Sequence, residues 1–459
     1  MLKIDKKLLV KQHKKDISFI INNTLCEQTI DRIAREKKFM TRKGKVPPAC
    51  LVNTLLFNES DMLNTSLPDL TADLSQVYDI DISKEAMHKK FTPACVDFFK
   101  ALLQEMLGGQ LSKDTGGTAL PFHFPQIKIK DSTKFSLPDN YNGDYKGYGN
   151  FSKKNGLMSL QYEYDLVSCS WLSFEMTKGL RNDQQDSTET IGSITKGDLH
   201  IRDLGYITPT YLSAVVEKEA FFLNRLPPQC AVYTKPKKPI NWKKTDAYFK
   251  KHALSKLELD VLIYEKNKIP CRLLIEPVSN TEYCRRLKKA VESAKSRKSV
   301  PSELLKIMMK YNIFITNVPA SILPFEVIRK TYYLRWQIEL VFKTWKSFFK
   351  INRIKKVKKE RLECQLLAKL MWILINWELF RSCNNHVRRQ DENQGISVII
   401  FFKRCIKFAA SLRLVLLKQT SIIGWLNKTY LPLIKDCLCA APKKKTTHYE
   451  SIKVNNKKP

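Results

Sequence analysis

The chain reads as an α/β protein, α+β overall, on three local patterns. Gln126-Ile-Lys-Ile-Lys130 alternates polar and apolar residues like a half-buried strand, and Asp198-Leu-His-Ile-Arg202 is a second short strand-like run. Between Thr331 and Lys346, by contrast, Leu334, Ile338, Val341, Phe342 and Trp345 recur at helical spacing. Strand-like and helix-like runs thus interleave along one stretch, which is the pattern of helices packed on a sheet.

Taken in order, residues 1–115 read as mostly helical. Ile82-Ser-Lys-Glu-Ala-Met-His-Lys-Lys-Phe91 places Ser83 as a cap before a basic helix whose Lys89 and Lys90 are candidates for a DNA groove, with a plain solvated helix as the competing reading. Residues 108–117, with Gly109 and Gly116, read as a linker-like stretch. The first strand then runs into Asp131-Ser132-Thr133, a turn-favouring triplet, and the second ends at Asp203-Leu204-Gly205-Tyr206, where Gly205 supplies turn permissiveness. His123 is expected to pack near the first strand, and His200 to lie on the strand leading to Asp203. A helix is expected over 208–217, and Pro227-Pro228 marks the way into another segment. There, 257–265 and 269–278 pair around Lys266-Asn-Lys268, helices follow near 279–296 and 301–310, and a strand passes through Phe314 and Ile315. Helical patterns continue over 362–380 and 396–425, and the basic tail from Pro442, with Lys443-Lys-Lys445, is expected to be disordered.

The helix 331–346 also carries chemistry. Tyr332, Arg335, Glu339 and Lys346 are spaced by three, four and seven residues, so at about 100° per residue they fall within roughly 60° of one face. The simplest reading is a surface helix with Arg335 and Glu339 as an i,i+4 pair. Trp336 points to a different side and reads as core. Adding Asp131 and Asp203 changes the balance: three acids, the last beside phosphate-binding cations, suit a cluster of hard oxygen ligands for two Mg²⁺ ions.

Composition points to a polyanionic partner. Lys+Arg number 79 against 45 Asp+Glu, a net charge of +34, and such a surface binds polyphosphates by counterion release. Charge alone does not choose DNA over RNA or an anionic membrane. A length of 459 residues is about three domains' worth, and 43% hydrophobic content suffices for several cores. The residues Met1–Lys15 lack an apolar signal run, and the longest apolar run, Cys364–Trp377, is short and interrupted by Lys369. A soluble cytoplasmic protein is expected, with no membrane partner. The twelve cysteines offer only one C-x-C, at Cys437 and Cys439, so reduced thiols are expected rather than zinc sites. Neither a P-loop nor G-x-G-x-x-G occurs, which argues against a nucleotide cofactor.

These motifs resemble those of the DDE transposases of bacterial insertion sequences, specifically the insertion sequence 4 group. The likeness rests on Asp131 in Asp-Ser-Thr, on Gly197-Asp-Leu-His-Ile-Arg-Asp-Leu-Gly-Tyr206, and on a Y-(2)-R-(3)-E-(6)-K signature met without departure by Tyr332, Arg335, Glu339 and Lys346. Weaker likenesses lie in Phe39-Met-Thr-Arg-Lys-Gly-Lys-Val-Pro47, which adds Arg42 and Lys43 as DNA-binding candidates, and in Ile315-Thr-Asn-Val-Pro319.

The resemblance implies an RNase H-like core with a mixed sheet flanked by helices, the two Asp on adjacent strands and the Glu on a helix packed against them. It also implies an inserted domain between Asp203 and Glu339. The division is then a DNA-binding region at 1–115, the first part of the core at 120–225, a strand-containing insertion at 226–320, the signature helix and its successor at 321–380, and a helical C-terminal region with the basic tail at 381–459. The implied activity is cut-and-paste transposition near the bacterial nucleoid, with two Mg²⁺ or Mn²⁺ ions held by Asp131, Asp203 and Glu339. DNA ends with terminal inverted repeats and target DNA are the implied partners, handled by a homodimer. Tyr332, Arg335 and Lys346 would grip phosphate; a flipped base would need an aromatic platform, for which Tyr311 and Trp242 are candidates, with core packing as the favoured competing role of either. The rival readings are a catalytically inactive, transposase-derived DNA-binding protein and another RNase H-like nuclease.

Overall fold

β-branched and aromatic runs broken by short polar turns build a single sheet that carries the rest of the molecule. The computed structural model describes residues 25–57, 65–113, 123–148, 156–168, 170–234, 238–295, 298–390, 396–405, 409–430 and 437. Among these, ten strands are found: β1 Ile127–Leu137, β2 Gly156–Asp165, β3 Ser170–Lys178, β4 Leu199–Arg202, β5 Phe221–Arg225, β6 Val232–Thr234, β7 Lys238–Pro239, β8 Leu257–Ile263, β9 Ile269–Pro277 and β10 Tyr311–Thr316. Their order is β3-β2-β1-β4-β5-β10-β9-β8-β6-β7.

The sheet is mixed. β1, β2 and β3 form an antiparallel meander, while β1 pairs parallel with β4 and β4 with β5. From β5 outwards all pairing is antiparallel, through β10, β9 and β8 to β6 and β7. The segment expected as an insertion therefore contributes strands that continue the same sheet across the β5–β10 pair. A side-chain amide secures that junction: Asn317 accepts from the Phe222 N–H at 2.7 Å and donates to the Ala220 carbonyl at 2.8 Å.

Two hydrophobic clusters flank the sheet. The larger joins Ile127, Ile129 and Phe135 of β1 and Tyr162 of β2 to N-terminal residues such as Ile30, Leu51 and Phe98, and to the helix Lys359–Gln390. The N-terminal helices therefore bury their apolar faces in the same core as the sheet. The stretch from Leu362 to Phe380 is buried residue after residue, the signature of a helix enclosed on all sides rather than one with a single apolar stripe. Among the described residues no helix is long and apolar enough to cross a membrane. The second cluster gathers Tyr211, Phe222, Leu273, Ile275, Ile313 and Ile315 with Trp242 and Phe249.

Several local expectations hold. Ser83 caps the helix Lys84–Lys90, its hydroxyl accepting from the Ala86 N–H at 3.1 Å, and helices occupy Pro209–Glu217, Asn280–Lys295 and Glu303–Met308. Others change. Residues 108–113, read as linker, continue the helix Pro93–Lys113, because Leu107, Gln110 and Leu111 keep the chain helical against the cost of two glycines. The rest of that stretch, 114–117, lies outside the described residues, as do residues 1–24 and the tail from Pro442 with Lys443–Lys445.

Candidate active site

The acids meet where parallel pairing stops. The register of β1 with β4 runs from Ile127↔Leu199 to Lys130↔Arg202, so the next residues on the two strands are Asp131 and Asp203. Asp131 does not sit in a turn as its Asp-Ser-Thr context suggested: β1 continues to Leu137, and Asp131 pairs with Tyr162 of β2. Ten consecutive partners on β2 outweigh the local turn preference of three residues. Its carboxylate still makes the local bond typical of Asp, Oδ1 accepting from the Ser132 N–H at 2.8 Å. Asp203 ends β4 in extended conformation, and the chain then turns in a short 3₁₀ segment, Leu204–Tyr206.

The third acid arrives on the helix Trp336–Ser347, anchored by the apolar flank expected from its spacing. Leu334, Ile338, Val341, Phe342 and Trp345 are all buried. Trp345 lies 5.1 Å from the Tyr162 ring and 5.2 Å from that of Trp171, which pins the helix on β2 and β3. The signature does not lie on one continuous helix. Tyr332 ends Phe325–Tyr333, Arg335 stands at the start of the next helix, and the joint is tightened by N–H bonds three residues back, Leu334 to Thr331 and Arg335 to Tyr332, both 3.1 Å.

Arg335 is the hub. Its Nη1 lies 3.2 Å from Asp131 Oδ2 and its Nη2 2.5 Å from Glu339 Oε1, with the guanidinium 16% exposed, Asp131 19% and Glu339 42%. Burial disfavours the Arg335 charge, but Asp203 foremost, then Glu339, Tyr332 and Asp131, outweigh it and raise its pKa. The acids are therefore grouped around a guanidinium rather than around a common point, and among the described residues no three His, Cys, Asp or Glu side chains form a ready cation cage. One positive group cannot neutralise three carboxylates. Burial, opposed by the Ser132 N–H and Arg335 but reinforced by Asp203 and Asp183, pushes Asp131 up to about 7. Among the described residues no hydrogen bond or ion pair reaches the Asp203 carboxylate. An under-compensated set of hard oxygen donors is chemically suited to a divalent cation.

The remaining candidates are distributed as follows. Tyr332 is buried against Phe314, ring centroids 5.4 Å apart, with its hydroxyl closed off from solvent. Burial first and then Asp203 raise that hydroxyl to about 12. Lys346 lies two turns beyond Glu339, half-buried, its Nζ donating to the Lys134 carbonyl at 3.1 Å and its pKa lowered by burial. Arg42 and Lys43 are exposed, and the same turn reaches Lys90: a Cβ on Gly44 would stand 3.6 Å from the Lys90 Nζ. With exposed Lys89 this makes one basic surface from two separate motifs. Tyr311 and Trp242 are buried in the second cluster, and Tyr311 donates to Asp246 at 2.8 Å. Their rings are taken up by packing.

The aromatic residue that sequence reasoning assigned wrongly is Trp336. It is 52% exposed, directly beside Arg335, because the tight joint at Leu334–Arg335 turns the first residue of the new helix away from the sheet. Asp183, absent from every motif, was also missed. It opens the helix Asp183–Glu189 and accepts from Ser132 Oγ at 3.0 Å. Gly205 carries no positive φ; what it provides is room, since a Cβ there would come 3.0 Å from Asp183 Oδ2. His200 is buried as expected on β4, its Nδ1 2.9 Å from the Tyr211 hydroxyl, with burial holding its pKa well below the usual range.

The family model described as the transposase DDE domain matches residues 122–375, a span that contains all three acids. The chain is 31% identical over 369 residues to the transposase for insertion sequence element IS231F of Bacillus thuringiensis subsp. israelensis, covering 75% of this chain and 76% of that protein. It is similar as well to the transposase for insertion sequence element IS1151 of Clostridium perfringens, 26% identical over 426 residues, with 88% of this chain and 89% of that one aligned.

Proposed function

The chain belongs to the DDE transposase family, an enzyme family acting on DNA with divalent metal ions, and from that premise we propose that Asp131, Asp203 and Glu339 are its catalytic acids. What supports this reading is one observation: Asp131 and Asp203 stand side by side where the β1–β4 pairing ends, and Arg335 joins Glu339 to the first of them. The acids would hold two Mg²⁺ or Mn²⁺ ions. When bound, such ions activate water or a DNA 3′-hydroxyl and stabilise the departing oxygen of an in-line displacement.

The protein's own contribution is position and charge. Asp131 lies in β1 and Asp203 directly follows the neighbouring β4, so the sheet brings the two acids close without an intervening loop. Glu339 comes from a helix fixed by the aromatic contacts of Trp345. Arg335 neutralises part of the acidic cluster and presents a planar fork suited to phosphate. Lys346 supplies a second cation farther along the same helix, and the surface formed by Arg42, Lys43, Lys89 and Lys90 engages the DNA backbone away from the chemistry. The substrate is the inverted-repeat end of the chain's own element, which is joined to target DNA at the nucleoid by a dimer holding both ends.

The test separates cutting from binding. Asp131→Asn and Glu339→Gln should reduce single-turnover cleavage of a duplex carrying the element's terminal repeat by about a thousandfold or more, as loss of a principal charge-stabilising group does. Binding of the same duplex should change little. Cleavage by either variant at the wild-type rate would withdraw the assignment.

A further inference from the structure

The main-chain ladder between β1 and β4 ends at Lys130↔Arg202, so no backbone bond of that ladder fixes Asp131 relative to Asp203. Arg202 is tied to Asn224 and Glu163 behind this point, and the side chain placed to link the two strand ends beyond it is Asp183. Its Oδ1 accepts from Ser132 Oγ at 3.0 Å and lies 3.4 Å from Gln161 Nε2. Ser132 and Gln161 are themselves direct cross-strand partners on β1 and β2. Gln161 in turn accepts from the Tyr206 hydroxyl at 2.6 Å, and Tyr206 closes the turn that begins after Asp203. The other oxygen, Oδ2, lies against Gly205 in that turn, close enough that a Cβ would meet it at 3.0 Å. One carboxylate therefore accepts from β1 one residue after Asp131, lies beside the turn two residues after Asp203 with no room for a Cβ at ordinary contact distance, and reaches β2 as well.

We propose that Asp183 is a positioning residue for the DNA-cleaving site, clamping the β1 end at Ser132 to the turn at Gly205 so that Asp131 and Asp203 keep a fixed separation. Ser132 is the relay on one side, because its N–H holds Asp131 Oδ1 at 2.8 Å while its hydroxyl is held by Asp183. Gly205 is the relay on the other, where a Cβ would meet Asp183 Oδ2 at 3.0 Å and require the carboxylate to give by a few tenths of an ångström. Asp183 acts through hydrogen-bond acceptance and shape; it touches neither the DNA nor the ions. The inference rests on the reading of Asp131 and Asp203 as catalytic acids.

The experiment uses the full chain with its own terminal-repeat duplex, comparing Asp183→Ala, Asp183→Asn, Ser132→Ala and Gly205→Ala. Three quantities are read: single-turnover cleavage, binding of the duplex, and affinity for Mn²⁺ alone measured by electron paramagnetic resonance. Asp183→Ala and Gly205→Ala should each slow cleavage by about tenfold or more and weaken Mn²⁺ binding severalfold, with duplex binding unchanged, as loss of a group that orients metal ligands does. Asp183→Asn keeps an acceptor oxygen for Ser132 and should recover to within about threefold of wild type. Adding Ser132→Ala to Asp183→Ala should cost little more than Asp183→Ala alone, because both break one link. Wild-type cleavage by Asp183→Ala overturns the inference. So does an Asp183→Asn variant as impaired as the alanine, since the negative charge itself would then be what matters. If Asp183→Ala does not fold, Ser132→Ala decides alone, and wild-type cleavage by it is equally fatal. Should Asp131→Asn cleave normally in the same assay, the underlying site assignment fails instead.

Discussion

Lys130 and Arg202 stand one residue before Asp131 and Asp203 on β1 and β4, yet the two sets of charges meet different surroundings. Lys130 pairs with Asp186 at 2.5 Å and Arg202 with Glu163 at 3.0 Å, all four side chains almost wholly enclosed. Arg202 is further satisfied by Ser187 at 3.0 Å and stacked over the Tyr211 ring at 4.1 Å. A third buried pair, Lys128 with Asp198 at 2.7 Å, continues the row. One step along the strands, Asp131 and Glu339 share a single guanidinium, no ion pair among the described residues reaches Asp203, and all three acids remain partly open to solvent. Where each acid has its own cation and no water, the charges hold elements together. Where acids outnumber cations at a partly open edge, there is capacity left for ions and phosphate.

That contrast can be broken by mutation. The largest effect is expected at the enclosed set: Arg202→Met strands Glu163 without its counter-ion and should cost about 3–5 kcal/mol in urea unfolding. Arg335→Met, facing the open set, should cost far less stability while impairing cleavage. Equal losses for the two arginines would erase the distinction.

A smaller effect of opposite sign belongs to Asp131. Its carboxyl is pushed from an ordinary 3.8 up to about 7 by burial, so between those values the unfolded chain releases a proton that the folded protein keeps. Stability is therefore lost as pH rises through the window, and above about pH 7 the full cost is paid. Asp131→Asn should stabilise the metal-free protein by on the order of 1–2 kcal/mol at pH 8, with the gain shrinking towards pH 4. Thermal melts across that range would read it, and a destabilised Asn variant at pH 8 would count against an under-compensated site.

Lys346→Ala should lower the slope of log binding constant against log salt by about one, as loss of one phosphate contact implies, and should also slow cleavage. An unchanged slope would remove Lys346 from the DNA-facing set. Smallest is Trp336→Ala: more than half exposed, it should alter stability by only about 0.5 kcal/mol. A loss of several kcal/mol would return it to the core assignment that its sequence suggested.

Local pattern alone carried the signature helix a long way. The buried flank Leu334, Ile338, Val341, Phe342 and Trp345 follows from 3.6-residue periodicity, and the four-residue spacing of Arg335 and Glu339 already places them in contact. The Ser83 cap and the β8–β9 pair were legible for the same reason, since their determinants lie within a few residues of one another. What lies far apart in sequence was not. Nothing local says that Lys130 pairs with Arg202, that Asp183 reaches Ser132, that Gly44 sits beside Lys90, or that the segment after Pro228 extends the sheet through β10. Nor could spacing show the tight joint before Trp336 that sends its indole outward, because helical periodicity assumes an unbroken helix. The sequence by itself determined the types of chemistry available: three acids, a phosphate-gripping pair and a strongly basic surface. Tertiary structure alone decided which charges are enclosed and which are open, because desolvation depends on every element packed around a group and not on its neighbours in the chain.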